Sequence, residues 1–389
     1  MKKVKFVLII FLVATSLTGN AQTRFSVPET LWTAFPDTLR NEIIKSLDSL
    51  LSGIDKRLLD TSLIDKDNYD LNYNFFYYLK GIEKKDTVPY YFRGQLINLY
   101  SIAPSQYLLT LIYSNKDEIG RIFSFMAKDD KGKIVFACPL KYNTKHWKTT
   151  TTGTITIYYP DTINVKRVEE FDSKNIAMAS KFNLPVREFD LYMCRNYQEA
   201  LQLQGCLYEY RSNGYLNSGD IIDPKTLFSV MNDEDFSHDV LHIYAYHIRG
   251  AIRNRAAEEG LAYFWGNAYH ASNKGTIPDQ HELVPVLKQY LASYNDVNLL
   301  DLFDKSPDVL AEYGYPKPVS VKYIITGLIC EALEKEKGVA GIIELIKCGR
   351  TDDDFFESIN KLMNINRSNF DAKVRELLSS FSTYNINTF

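Results

Sequence analysis

The sequence is poor in the residues that usually mark a redox centre or a structural metal site. Its 389 residues include 5 cysteines, and no two of them form a Cys-x-x-Cys pair, which disfavours a cysteine zinc site or a dithiol redox motif. Because the count is odd and most neighbouring residues are apolar, we expect buried free thiols. Cys194 and Cys206 are the one close pair that remains a candidate for a disulfide.

The chain also lacks a large excess of charge of either sign. The 45 basic and 48 acidic residues give a net charge of −3, and neither sign forms a long block, so a nucleic-acid partner is not indicated. No long apolar run follows the first residues, and we therefore expect no membrane span in the mature chain. Aromatic residues are abundant instead: they make up 13% of the chain, with 27 tyrosines, and fit either exposed binding surfaces or tyrosine-rich sheets.

The first residues carry a pattern typical of a secretory signal peptide. Basic residues within the first five positions precede an apolar run over residues 6–14, and small residues lead up to Ala21. The run is too short to span a membrane. We therefore predict a signal peptide over residues 1–21, a mature chain of residues 22–389, and an exported protein that is periplasmic or secreted.

Residues 22–150 are predicted to form a small α+β domain. Apolar residues at helical spacing predict a helix from about Asp37 to Gly53. Residues 148–153 contribute no core residue, and we place the boundary to a second domain, residues 151–389, at this run. The N-terminal domain carries no catalytic constellation. Between its helix and the linker, alternating apolar and polar residues predict an antiparallel meander of four strands: Tyr91–Tyr100, Tyr107–Tyr113, Ile119–Lys128 and Lys133–Cys138.

The second domain is predicted to begin with alternating strands and helices and to continue as helices. Strands are expected at Ile155–Tyr159 and Phe189–Cys194, with a helix over about Val165–Phe182 between them. Two helices that carry histidines and carboxylates follow, Asp233–Tyr246 and Asn254–Tyr269. Apolar residues three and four positions apart then predict a helical remainder: Glu282–Ala292, Val319–Glu336, Val339–Ile346, Asp353–Leu362 and Arg367–Ser380.

A His-Asp-Val-Leu-His segment in the first of these two helices carries the clearest chemical signal. His238 and His242 are four residues apart, so their imidazoles lie on one helix face, one turn apart. Glu259, seventeen residues further on, is placed to be a third ligand, as in hydrolytic zinc sites that keep a fourth position open for water. Asp239 is our candidate general base for that water. We expect the neighbouring Glu258 to be solvated.

These residues, together with the Glu-Gly-Leu-Ala run that starts at Glu259, resemble the HExxH and EGxA signature of the gluzincin metallopeptidases. The resemblance covers about residues 154–380, and its specific part is these two short motifs. Asp239 stands where the family has Glu. Tyr263 stands where related enzymes often carry an acidic residue that orients a histidine ligand.

The resemblance implies a two-lobed metallopeptidase-like domain with a helical C-terminal lobe, a Zn²⁺ cofactor held by the two histidines and Glu259, and a peptide or protein substrate. It also implies that a tyrosine before the long helix is offered to the oxyanion; Tyr313 and Tyr315 both fit, and Tyr315 is our candidate catalytic residue. The segment 214–219 would lie at a sheet edge beside the cleft, where an extended substrate adds as a strand, or would be an ordinary surface turn.

Two other interpretations stay open. Asp239 is one methylene shorter than Glu and retracts the base by about 1 Å, a displacement that can cost about a hundredfold in rate. The chain is then a catalytically inactive metallopeptidase-like protein that binds peptides or proteins. In the third interpretation it is a structural protein without metal, and both histidines are partly buried polar residues with ordinary hydrogen-bond partners. The oligomeric state does not follow from the sequence.

Overall fold

The computed structural model describes residues 25–381 apart from 32, 56–57, 80–91, 211, 213–218, 273–274 and 295. The predicted signal peptide, residues 1–21, and most of the segment 214–219 lie outside the described residues. Helices and strands occur in both halves of the chain, and the predicted α+β class is confirmed. Within the described ranges, every helix is too short or too polar to cross a membrane.

The regular structure of the described residues consists of eleven strands and twelve α-helices. The strands are β1 (Phe25–Ser26), β2 (Arg93–Ala103), β3 (Gln106–Ser114), β4 (Ile119–Asp130), β5 (Lys133–Ala137), β6 (Lys148–Thr152), β7 (Ile155–Tyr159), β8 (Phe189–Met193), β9 (Cys206–Glu209), β10 (Gly219–Ile221) and β11 (Thr226–Ser229). The helices are α1 (Asp37–Asp55), α2 (Tyr69–Tyr78), α3 (Leu140–Asn143), α4 (Val165–Lys181), α5 (Tyr197–Leu203), α6 (Ser237–Arg249), α7 (Arg255–Trp265), α8 (Gln280–Ser293), α9 (Leu299–Lys305), α10 (Val321–Ile346), α11 (Asp352–Met363) and α12 (Phe370–Ser380).

The first sheet and its helices enclose a hydrophobic core. Strands β2 to β5 form the predicted antiparallel meander, and β1 pairs with β2 in parallel. The apolar face of α1 packs on this sheet through Ile43, Leu47 and Leu50, which are fully buried. Helix α2 adds Phe76, whose ring centroid lies 5.7 Å from that of Phe125 on β4. The predicted helix and meander are therefore confirmed.

A strand from the second half of the chain joins the first sheet. β9 pairs antiparallel with β4, and the guanidinium of Arg121 bridges the carboxylate of Glu209 across this pair at 2.5 Å. The same core also includes Tyr192, Leu203 and Phe228, which come from beyond residue 150. Because the two predicted domains share packed side chains, the division of the chain at residue 150 stays a prediction.

The run at which we place the domain boundary is a strand. Residues 148–152 form β6, the edge of a five-stranded sheet with the order β10-β11-β8-β7-β6. An edge strand that is bonded to one neighbour and faces solvent needs no apolar residue, which explains the composition of this run. The inner strands β7, β8 and β11 are parallel, and Phe189 on β8 stacks on Phe171 of α4 with ring centroids 6.3 Å apart. This sheet and α4 support the histidine-bearing helix from one side.

The long helix α10 supports the site from the other side. It packs along α7, and Gly260 of α7 permits this approach, because a Cβ at that position would lie 2.3 Å from Oγ1 of Thr326. The backbone of α10 is non-helical at Gly338, where φ is 64°, so the two helices predicted on either side of this residue form one interrupted element. Helices α8, α9, α11 and α12 pack around α10 and complete the predicted helical region.

All five cysteines are free thiols, and four of them are buried. The prediction of buried free thiols is confirmed for those four, and Cys194 and Cys206 do not form the disulfide that the sequence left open. Burial raises the pKa of the Cys138 and Cys206 thiols to about 12, so both stay protonated and unreactive at neutral pH.

Candidate metal centre

A short connection between α6 and α7 positions the predicted ligands. Helix α6 ends at Arg249, and Gly250 adopts a positive φ of 69° that turns the chain. Helix α7 begins at Arg255 after Asn254, whose side chain caps the helix by accepting a hydrogen bond from the amide of Ala257 at 3.1 Å. Because both ends of the connection are fixed, the histidine face of α6 lies against the first turns of α7.

His238, His242 and Glu259 converge between these helices. Nε2 of His238 lies 3.3 Å from Oε2 of Glu259, and Nε2 of His242 lies 3.9 Å from the same oxygen. One ligand atom from each of the three residues lies within 4.8 Å of the others. Tetrahedral zinc with bonds of about 2.0–2.1 Å separates its ligand atoms by ~3.3 Å. The structure therefore brings the predicted ligands together at separations that a small shift of His242 would adapt to a metal.

Each histidine ring is fixed through the nitrogen that faces away from Glu259. Nδ1 of His238 lies 2.7 Å from the backbone oxygen of Asn267, and Nδ1 of His242 lies 2.8 Å from Oε1 of Glu258. A carbonyl and a carboxylate only accept hydrogen bonds, so both Nδ1 atoms must donate. This places the remaining lone pair of a neutral ring on Nε2, the atom directed at Glu259, which is the arrangement of metal-binding histidines.

Glu258 is buried, and the prediction that it is solvated was wrong. Its side chain has no solvent exposure and contacts His242, Arg249 and Arg253. Burial acts to raise the pKa of Glu258, but hydrogen bonds from His242 and Arg249 outweigh it and lower the pKa, so the carboxylate is charged. Glu258 thus orients a predicted ligand. The sequence signal for this role is the group of three arginines within ten residues before it, of which Arg249 and Arg253 contact it.

Tyr263 has no comparable role at the ligands. Its ring is buried with the centroid 6.0 Å from that of His238, and its hydroxyl accepts a hydrogen bond from the amide of Ser320 at 3.1 Å. The groups that orient the two histidines are instead the carboxylate of Glu258 and the carbonyl of Asn267.

The ligand atoms form an ion pair in the absence of a metal. Burial acts to raise the pKa of Glu259, but the hydrogen bond from His238 and the nearby charges of His242 and Arg253 lower it to about 2. Burial acts to lower the pKa of His238, and the hydrogen bond and charge of Glu259 reverse this and raise it. A divalent cation at this point would replace the proton that His238 shares with Glu259.

Arg253 contacts the same cluster and was not anticipated from the sequence. Its Nη2 lies 2.8 Å from Oε1 of Glu259 and 3.2 Å from Nε2 of His242, while its Nε lies 2.8 Å from Oε1 of Glu258. The guanidinium therefore holds the Glu259 oxygen that does not face His238. Because its Nη2 also lies 3.3 Å from Nδ1 of His242, the guanidinium lies over the imidazole ring and leaves the in-plane lone pair of Nε2 accessible to a metal.

A cavity of about 280 Å³ opens onto the cluster. Asp239 lines it between the two histidines, and the hydroxyl of Tyr269 hydrogen-bonds the Asp239 carboxyl. Burial raises the pKa of Asp239, against the opposing charges of the histidines. A cavity of about 660 Å³ beside Arg167 and Asp233 is larger, but the group of ligand atoms that could hold a metal lies at the smaller cavity. The lining residues are His238, Asp239, His242, Arg253, Arg255, Glu259, Tyr263, Ala268, Tyr269, His270, Pro318 and Tyr323.

The structure does not bring Tyr315 to this cavity. Its side chain is buried, and its hydroxyl donates a hydrogen bond to Oε1 of Glu282 at 2.6 Å. Tyr313 contacts Ser293 at 3.5 Å and, like Tyr315, is absent from the described cavity lining. Tyr323, on the first turn of α10, does line the cavity. No motif in the sequence marks Tyr323, because it lies within the apolar pattern of α10 and not in the Pro/Gly loop before it.

No protein-family model matches this chain, and no curated protein shows significant similarity to it. The resemblance to gluzincins is therefore limited to the residues of the two motifs.

Proposed function

We propose that this protein is an exported, two-lobed zinc metallopeptidase of the gluzincin type that hydrolyses peptide bonds. One observation carries the proposal: both histidines are held through Nδ1 by fixed acceptors, while their Nε2 atoms and Oε2 of Glu259 converge. Two neutral imidazoles and a carboxylate with an open position are the ligand set of hydrolytic zinc sites. The proposed lobes are the five-stranded sheet with α4 and the helices around α10, with the cavity between them.

The side chains around the cavity supply the remaining chemistry. Bound zinc would polarise the scissile carbonyl and lower the pKa of a coordinated water. Asp239 is the proposed base: it accepts a proton from the attacking water and returns it to the departing amine nitrogen. Tyr269 fixes the Asp239 carboxyl through its hydroxyl. Tyr323 replaces Tyr315 as our candidate hydrogen-bond donor to the oxyanion, because it lines the cavity.

Two specific observations favour the other interpretations. The short Asp239 is held by Tyr269, which favours a metal-binding protein that binds peptides without cleaving them. The ion pairs of Arg253 with Glu258 and Glu259 favour a structural cluster in which a guanidinium takes the place of a metal. Zinc content separates the structural interpretation from the other two, and turnover separates those two from each other.

The test combines metal analysis with a variant series at Asp239. Purified mature protein is dialysed, its zinc is measured by elemental analysis, and cleavage of a broad peptide library is followed with and without a chelator. We expect close to one zinc per chain and slow, chelator-sensitive cleavage that Asp239→Asn reduces and Asp239→Glu increases. Zinc near zero in a folded sample, with no uptake on titration, would exclude the metal. Stoichiometric zinc with activity only in Asp239→Glu would identify an inactive relative that binds peptides.

Export is part of the proposal and has its own test. The basic, apolar and small-residue pattern of residues 1–21 supports it. The mass of the protein recovered from outside the cytoplasm should correspond to a chain that begins at Gln22. A full-length chain confined to the cytoplasm would contradict export without affecting the metal site.

A further inference from the structure

The cavity at the metal centre is lined by polar and charged side chains. Two arginines, three histidines and three tyrosines contribute to it, whereas Ala268 and Pro318 are the aliphatic contributors among its described lining residues. Such a lining offers little apolar area to a leucine or phenylalanine side chain. It favours a substrate that is recognised through charge and hydrogen bonds.

Arg255 is the cavity residue whose charge is most available. Its side chain is 76% exposed, and within the described part of the chain its nearest carboxylate contact is a long one, 3.9 Å from Nε to Oε1 of Glu259. Arg253 is committed elsewhere, because Glu258 and Glu259 both lie 2.8 Å from it. The guanidinium of Arg255 is therefore free to bind a planar anion through two parallel hydrogen bonds.

The charged side chains around the cavity indicate the sign of the charge on the ligand. Three arginines, at positions 249, 253 and 255, face three carboxylates, at positions 239, 258 and 259, so these ionised side chains cancel once a metal has displaced the proton that His238 shares with Glu259. His270, which also lines the cavity, stays neutral at physiological pH because burial lowers its pKa to about 4. A divalent cation would leave two positive charges uncompensated. The loaded cavity would then attract anions and repel an ammonium group.

The position of Arg255 sets the distance between that anion and a peptide bond held at the metal. Arg255 precedes Glu259 by four residues on α7, so the two side chains are neighbours one turn apart, with Cβ atoms about 5–6 Å from each other. One extended residue spans up to about 3.6 Å. A carboxylate on Arg255 therefore lies within one or two residues of a peptide bond at the metal.

We propose that the substrate of this site is a peptide with a carboxylate within one or two residues of the scissile bond, and that Arg255 binds this carboxylate. The inference rests on the proposed metallopeptidase function and specifies its substrate class. The carboxylate belongs either to the C-terminus of the peptide or to an aspartate or glutamate side chain. Both sources present the same chemistry to the guanidinium.

The experiment measures binding in the full mature chain, with Asp239→Asn introduced to prevent turnover. Its zinc content is determined in each sample. Three N-acetylated alanine tripeptides are titrated calorimetrically: one with a free C-terminal carboxylate, one with a C-terminal amide, and one amide in which a glutamate replaces the second alanine. We expect at least one carboxylate peptide to bind about tenfold to a hundredfold more tightly than the neutral amide. The preferred peptide identifies the source of the carboxylate.

Arg195 provides a matched control for Arg255. It lies two residues before α5, is 75% exposed and pairs with a glutamate four residues on, but it is outside the cavity lining. The preference for carboxylate should vanish in Arg255→Gln, recover in part in Arg255→Lys and persist in Arg195→Gln. Equal binding of acid and amide by the zinc-loaded protein, or a preference unaffected by Arg255→Gln, would overturn the inference alone. A folded protein that takes up no zinc would overturn the proposed function and this inference with it.

Discussion

The two hydrophobic cores of this protein differ in the polar groups that they bury. In the described residues before the second sheet, the buried polar side chains are all neutral: Asn72, Thr110, Ser124 and Thr144. Around α6 and α7, the buried side chains include charged ones: Asp233, Glu234, Asp235, His238 and Glu258. A neutral hydroxyl is satisfied by one neighbour, whereas a buried charge is costly unless several partners are fixed around it.

The neutral buried groups belong to a region that stabilises the fold, whereas the charged buried groups belong to a region suited to binding a ligand. Thr110 and Ser124 satisfy each other across β3 and β4 at 2.8 Å and leave nothing to offer a ligand. Glu258, His238 and His242 are held by groups from both helices and the loop after α7. The Nε2 atoms of the two histidines nevertheless stay directed at Glu259. Buried charged groups that converge beside a cavity are typical of functional sites.

Removing a ligand should produce the largest effect. In His242→Ala, we expect zinc to fall from about one equivalent to near zero while the helices persist, because catalytic zinc sites form on a scaffold that folds without them. Elemental analysis and far-ultraviolet circular dichroism check both parts. The control is His247→Ala on the same helix, where the exposed ring contacts Arg187 at 2.7 Å. Loss of zinc in both variants, or retention in both, would contradict the assignment.

The next largest effect should come from the buried acid that precedes α6. Asp235 is fully buried, with Lys174 at 2.6 Å and Arg167 at 3.6 Å. Asp235→Asn leaves both cations underpaired, and we expect a loss of about 3–5 kcal/mol in the free energy of unfolding, measured with denaturant. In contrast, Asp301→Asn breaks an exposed pair with Lys305 and should cost no more than about 1 kcal/mol. An equal loss in the free energy of unfolding in both variants would show that the buried and the exposed ion pairs do not differ in their contribution to stability.

The same acid gives a pH dependence with a defined sign. Burial acts to raise the pKa of Asp235, but Lys174 and Arg167 lower it from the ordinary 3.8 to about 2. A carboxyl with a lowered pKa stabilises the fold above its ordinary pKa and loses that contribution as the pH falls. The part of the stability lost between pH 4 and pH 2 should therefore shrink in Asp235→Asn.

The site residues that could be predicted are those that depend on local spacing. A separation of four residues on one helix places His238 beside His242 whatever surrounds them, and Glu259 follows from the motif. Glu258 was misjudged because its burial depends on Arg249 and Arg253, which reach it only after the chain turns at Gly250. A helical pattern shows which residues of a helix lie on the same face. It does not show which side chains from a neighbouring turn cover that face.

The fold shows the same limit. The meander of β2 to β5 was predictable because its strands pair with their neighbours in sequence. The addition of β9 to β4 joins residues far apart in the chain, and no local pattern encodes this pairing. Residues 148–152 lack apolar side chains because β6 is an edge strand, so composition alone could not separate this strand from a linker.

A smaller effect is expected where a charged group only orients a ligand. Glu258→Gln keeps the volume but replaces the carboxylate that accepts from Nδ1 of His242, and zinc affinity should weaken about tenfold to hundredfold. Competition with a chromophoric chelator measures this change. The control is Glu334→Gln, a partly buried carboxylate that binds Lys181 and Trp265. An equal loss of affinity in both variants would show that Glu258 acts through stability and not through orientation.

The smallest effect should come from the neutral pair in the first core. Thr110→Val or Ser124→Ala alone leaves one buried hydroxyl without its partner at 2.8 Å, which should cost about 1–2 kcal/mol in the free energy of unfolding. The double variant removes both groups, so its cost should be less than the sum of the single costs. Denaturant unfolding measures these values, and elemental analysis should find zinc unchanged. A change in zinc content, or a cost as large as that of Asp235→Asn, would mean that the two cores do not differ in the way their buried polar groups indicate.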